Sequence, residues 1–246
     1  MDGKKNNPAG RLHAILTQAL NSPGSTSTLQ MWSQVFDIPL QEKTELFLRI
    51  SAMHQLVDDV KSRISSLDDV NVELHLSRFP QIEVVVKATN YDVPWDSYKP
   101  HLSDGVMLNL AYCAETLSRY DETPIEENDL LDLKKDIDEL FEKILKAPLD
   151  GQLKTVILDL LESIRRSISE YKIRGADGMR KTLAYCMGMI VQNTQLFEKE
   201  ASKEEVGRFG KIVSRFTTII ELAVKFKELG VNYSKVIGFI ITTANK

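Results

Sequence analysis

The sequence predicts an all-α protein, a multi-helix bundle in which an N-terminal helical half packs on a C-terminal helical bundle. Three observations predict it. Apolar residues recur at steps of three and four through most of the chain, the spacing that lines one face of a helix. Short segments rich in Pro, Gly, Ser and Asn separate these stripes, as expected of helix stops and turns. The one β-rich run, Ile82–Lys87 (IEVVVK), has no partner strand nearby; it is read as helix, although its length alone does not separate strand from buried helix.

Residues 1–10 are polar, contain Pro8 and Gly10, and are expected to form a disordered tail. Residues 11–120 form the N-terminal helical region. Leu12, Ile15, Leu16, Ala19 and Leu20 make a short amphipathic helix, and Asn21–Thr28 (NSPGSTST) makes a loop. Thr28 is positioned to cap a helix carrying Leu29, Trp32, Val35 and Phe36, closed by Pro39. Leu46, Ile50, Met53, Val57, Val60, Ile64 and Leu67 then alternate steps of four and three, a heptad seam. It is read as facing the chain's own bundle, with an intermolecular coiled coil as the alternative. A shorter helix with Val72, Leu76 and Phe79 is expected to end at Pro80, and Asn90–Ser103 is a loop holding Pro94, Trp95, Tyr98, Pro100 and His101. Ser103 or Asp104 caps a helix bearing Val106, Leu110, Cys113, Ala114 and Leu117.

The polar, acidic stretch Arg119–Asn128, broken by Pro124, is the candidate domain joint, and residues 125–246 form the C-terminal bundle. Leu130, Leu133, Ile137, Leu140, Phe141 and Ile144 form its first stripe. Asp150–Asn193 reads as a helical hairpin. Asp150 caps a helix with Leu153, Val156, Ile157, Leu160, Leu161, Ile164, Ile168 and Tyr171; Gly175 ends it in a left-handed conformation; Asp177 caps the second helix, with Met179, Leu183, Cys186, Met187, Ile190 and Val191 as its apolar set. After the charged connector Glu198–Glu205, a last long helix carries Val206, Phe209, Val213, Phe216, Ile220, Ala223 and Phe226, and Val236–Ile241 is a final apolar piece.

The chain has 246 residues, 43% of them hydrophobic and 27% charged, with a formal net charge of −4. That length can bury a sizeable core. The mildly acidic balance argues against a dedicated nucleic-acid coat or a polybasic membrane binder. With Cys113 and Cys186 alone, each inside a helical apolar pattern, no disulfide framework is expected, and a reducing, cytoplasmic setting fits. No secretory h-region is visible, and no apolar run reaches the roughly 18 residues that span a bilayer.

Reactive chemistry is sparse. His54 and Asp58 share one helical face, a spacing that gives two metal ligands, but no HExxH, Walker, GxSxG or GxGxxG pattern accompanies them, and no cofactor is implied. Asp58-Asp59 and Asp68-Asp69 are read as helix-surface and capping carboxylates. Charge is uneven: acids dominate Asp121–Asp150, and bases dominate Arg165–Lys181. The six cations Arg165, Arg166, Lys172, Arg174, Arg180 and Lys181 either neutralise the acidic helix or form a basic rim for an acidic partner, phosphate or nucleic acid. Trp95 and Tyr98, large aromatics in a Pro-bearing loop, are either interface anchors or a plug closing a bundle end.

Within residues 153–188, the run LLESIRRSISEYKIRGADGMRKTLAYCMG resembles a helical segment of uncharacterised bacterial proteins, some of them accessory factors of defence or toxin-type modules. The resemblance implies an accessory role and assigns no catalytic residue. The expected function is therefore a non-catalytic interaction protein, an accessory or regulatory subunit acting through helical surfaces on a protein partner or on copies of itself, in a system such as anti-phage defence. A nucleic-acid or phosphate binder using the basic hairpin, and a metal-dependent helical hydrolase using His54 and Asp58, are the alternatives.

Overall fold

The computed structural model describes residues 5–223. They form eleven α-helices and short 3-10 turns, with a single isolated β-bridge between Ser27 and Pro94 and no strand among the described residues. The helix expected around Phe226 and the apolar piece Val236–Ile241 lie outside the described residues. The described residues divide into two compact units: those up to Asp121 together with Lys172–Gly175, and Glu122–Tyr171 together with residues 176–223.

The first unit begins with α1 (Pro8–Leu20), so residues 5–10 are not the loose tail that their polarity suggests. Asn7 caps the helix by accepting from the Gly10 amide at 3.0 Å, and its own amide nitrogen donates to the Ala114 carbonyl and the Asp121 carboxylate, both at 2.8 Å. A fully buried Asn is tolerable because both ends of its amide are satisfied. Helix α2 (Thr28–Phe36) is capped by Ser27, one residue before the expected position; Thr28 instead donates through its hydroxyl to the Val93 carbonyl. Asp37, at φ 54°, closes α2 in the left-handed conformation that short polar side chains tolerate.

Helix α3 (Lys43–Ser65) carries the heptad seam, and every seam residue from Leu46 to Leu67 is buried in the first unit's own core. The intermolecular coiled coil is thus overturned: α1, α2 and α5 pack along this helix, leaving the seam no free surface. Helix α4 (Val72–Leu76) is short. In α5 (Phe79–Val86), Pro80 sits in the first turn, where its missing N–H costs nothing, so it opens this helix rather than ending the previous one. The IEVVVK run is accordingly helical, with Ile82, Val85 and Val86 buried.

The loop after α5 is strapped to the α1–α2 loop by backbone bonds: Thr28 and Leu29 donate to Val93 and Tyr91, while Trp95 and Asp96 donate to Thr26 and Gly24. This strap carries Trp95 into the core, edge-on to Trp32 at 6.4 Å between ring centroids. Gly24 lies beside Asp96, whose carboxylate would have to turn aside for any Cβ placed at position 24. Helix α6 (Asp104–Thr116) completes the unit and packs along α1.

In the second unit, α7 (Glu127–Lys146), α8 (Gly151–Ser169) and α11 (Glu204–Ala223) bury the expected stripes in one core. The α8 cap is as expected, Asp150 accepting from the Gln152 and Leu153 amides. Helix α8 stops at Ser169, however, and α9 (Tyr171–Gln192) is broken within by Gly175, at φ 63° and ψ −165°. Val191, counted among the apolar set, is exposed. A separate short helix, α10 (Thr194–Lys199), places Phe197 in a stack on Phe209 at 5.8 Å.

The Gly175 backbone lies in a region open essentially to glycine alone, where a side chain costs about 1–3 kcal/mol. Gly175→Ala is therefore expected to lower the unfolding free energy by that amount, read as a lower urea midpoint at an unchanged slope. Unchanged stability would mean the kink is not required.

Candidate functional site

The hairpin cations do not gather into one basic rim. Arg165, on α8, reaches across to Asp138 of α7 at 3.4 Å and also pairs with Glu162 on its own helix. Its guanidinium lies 5.7 Å from the Phe141 ring centroid, near the outer range of a cation–π contact. Arg166 turns to Glu170 at 3.0 Å. Arg180 and Lys181 share Asp177, at 2.7 and 3.1 Å. Lys172 donates to the Gln18 side chain and to the Val35 carbonyl, both at 2.7 Å, within the first unit. Burial holds its ammonium below the ordinary lysine value, against the opposing attraction of Asp37. The Arg174 carbonyl accepts from the buried Arg11 side chain, as does that of Ile173. Among the described pairs, Arg165 meets the acidic helix α7, whereas Arg166, Arg180 and Lys181 pair with acids of their own segment.

Asp177 is not the cap of the second hairpin helix. The amides of Ala176 and Asp177, freed by the Gly175 kink, donate to the two carboxylate oxygens of Glu122 at 2.7 and 3.1 Å. A carboxylate at a helix N-terminus is favoured by hydrogen bonding and by the helix dipole together. Because the cap comes from a residue 54 positions earlier in the chain, local pattern does not reveal it.

The remaining candidates are also committed internally. Trp95 is wholly buried, so it plugs the first unit's core rather than anchoring an interface. Tyr98 is half-buried against the same core, its hydroxyl donating to the Asn90 carbonyl at 3.3 Å. The Val86 carbonyl accepts from His54 Nε2 at 2.8 Å, and Asp59 pairs with Arg63 at 3.0 Å. Among the described residues, no three His, Cys, Asp or Glu side chains converge as a metal site. Burial pushes the Cys113 thiol up to about 11 and the Cys186 thiol up to about 12.

What the sequence reading did not single out is an exposed apolar surface on α4 and α6. Leu108 is 56% exposed, Tyr112 61% and Leu74 65%. Asp104, Leu108 and Tyr112 follow one another at intervals of four, so they form one row along α6. The adjoining row, Asn109, Cys113 and Thr116, clasps α4: Asn109 donates to the Leu74 carbonyl at 3.2 Å, Cys113 to the His75 carbonyl at 3.4 Å, and Thr116 Oγ1 lies 3.0 Å from His75 Nε2. The clasp holds the Leu74 backbone against the row of Asn109. Glu73 and Asp104, both exposed, stand on the same two helices and make no ion pair among the described residues. The signal was present in the sequence: Leu108 and Tyr112 are apolar positions that fall off the Val106–Leu110–Cys113–Leu117 stripe.

Among the described residues, no helix is long and apolar enough to cross a membrane. No known family model, curated protein or solved structure matches the chain.

Two expectations follow. Neither thiol should react with Ellman's reagent in the native protein at about pH 8, where both stay protonated and shielded, and both should react in denaturant. Rapid native labelling would place at least one of them in an open, electropositive setting. Burial also pushes the Asp177 carboxyl up, but its bonds to Arg180 and Lys181 outweigh that and hold it below its ordinary value of 3.8. Its contribution to stability is therefore complete above pH 3.8 and lost as pH falls through the lower folded value. Asp177→Asn should flatten this acid limb in urea midpoints compared at about pH 5 and about pH 2.5.

Proposed function

We propose that this chain is a non-catalytic helical interaction protein, an accessory or regulatory subunit that binds a protein partner through the exposed face of α4 and α6. The observation that carries the reading is the exposure of Leu108 and Tyr112, one turn apart on α6, and of Leu74 on α4, the helix that Asn109, Cys113 and Thr116 hold to α6. Scattered apolar residues are ordinary on protein surfaces, but a contiguous set with polar margins marks a contact site. Tyrosine at the centre of such a set is a frequent anchor, since it buries much area for few frozen torsions. The carboxylates of Glu73 and Asp104, without an ion pair among the described residues, favour a partner surface with apolar side chains and Lys or Arg at its edge. The resemblance of Leu160–Gly188 to segments of bacterial accessory proteins directs the search for that partner to defence and toxin-type assemblies. The hairpin cations and His54 lend no comparable support to the nucleic-acid and hydrolase readings, being engaged within the chain.

The test places a photo-crosslinking amino acid at Tyr112 of the full chain, expressed in its native cell, with exposed Gln195 as the control position. A discrete adduct is expected from position 112 and none from 195. Leu108→Glu in the same chain should weaken capture of the adducted protein about tenfold or more, the effect of spoiling an anchor. Absence of an adduct, or the same adduct from both positions, would overturn the reading.

A further inference from the structure

We propose that the second unit binds a phosphoryl group in the cleft between α7 and α11. The cleft, of about 230 Å³, is lined by Asp136 of α7 and by Arg208, Lys211, Ile212 and Arg215 of α11. That space admits a phosphate with room for an ester substituent. Arg208, Lys211 and Arg215 are three and four positions apart, so three cationic side chains rise from one face of the helix.

What points to a ligand is how incompletely these cations are neutralised. Arg215 donates to Asp136 at 2.8 Å and lies 3.7 Å from Asp132. Arg208 comes no nearer to a carboxylate than 3.8 Å, at Glu139, which is an ion pair without a hydrogen bond. Lys211 makes no ion pair or hydrogen bond among the described residues. The Arg208 side chain is 26% exposed, and among the described residues its donors have no protein acceptor at hydrogen-bond distance. Donors left without a protein acceptor can take an oxyanion through charge-assisted hydrogen bonds. A phosphoryl group fits better than a carboxylate because it offers three oxygens and between one and two negative charges to donors arriving from successive helical turns. Asp136 and Glu139 set the limit: they oppose the anion, so the site takes a compact dianion and not an extended polyanion. The hairpin cations are not involved; this site lies on α11, and it stands whether or not the α4–α6 face binds a protein.

Calorimetric titration of the full chain, at about 50 mM salt, tests it with inorganic phosphate, with AMP as an ester source, and with acetate as a monoanion control. Saturable binding of phosphate or AMP is expected, in the millimolar range or tighter, and weakened severalfold at about 250 mM salt. Lys211→Ala, a change at an exposed position, should weaken it at least fivefold, as should Arg208→Gln, while Lys134→Ala on the exposed side of α7 should leave it unchanged. Asp136→Asn should tighten it. Binding of AMP but not phosphate would identify the source as an ester. Failure of both to bind, equal binding of acetate, or indifference to Lys211→Ala would overturn the proposal.

Discussion

The first unit depends on the covering of one helix. The α3 seam holds seven apolar side chains along a single edge, each worth roughly 1.5–3 kcal/mol when withdrawn from water. Helix α3 cannot stay in solution with that edge bare, so α1, α2 and α5 must close over it. The order of the remaining elements follows from this need. The polar loop after α5 is carried back across the α1–α2 loop, and its Trp95 fills the volume beside Trp32 that the helices leave.

In the second unit the apolar faces of α7, α8 and α11 meet in the same way, but the polar exteriors also have work to do. Acidic α7 is flanked by arginines from α8 and α11, at Asp138, Asp136, Asp132 and Glu139. Exposed pairs of this kind contribute little each, about 0–1 kcal/mol. Their value is in specifying which helix lies beside which: α7 with its charge run would be repelled by another acidic neighbour. The kink at Gly175 follows a different logic. It frees amides at the start of the following helical stretch, and Glu122 from the interdomain segment accepts from them.

Most of the fold was legible because it is written in local periodicity. The seam, the Leu130–Ile144 stripe, the Asp150 cap and the α11 face needed only steps of three and four. Elements that rest on distant partners were not legible. Asn7 looked like part of a polar tail because its justification is Ala114 and Asp121; only the Asn7-Pro8 pair, a cap followed by a first-turn proline, hinted at a helix start. Pro80 and Thr28 were misplaced by a residue or more for a related reason, since a turn residue serves equally before and inside a helix. The charge blocks misled differently: most of the Arg165–Lys181 cations pair within their own segment, and the acids of α7 meet Arg165 of α8 and Arg208 and Arg215 of α11. The α4–α6 surface and the α11 cleft arise from side chains that fall outside the core stripes, where pattern reading assigns nothing.

Helix α4 offers a last consequence. Five residues are too few to hold a helix in water by themselves, and none of the five is buried. The element persists because Asn71 caps it and α6 grips it from the side. Its amides should therefore be the least protected among the first unit's helices, opening locally while α3 stays intact. A surface resting on so weakly protected an element gains order when it is covered, and part of the association free energy is then spent on stilling it.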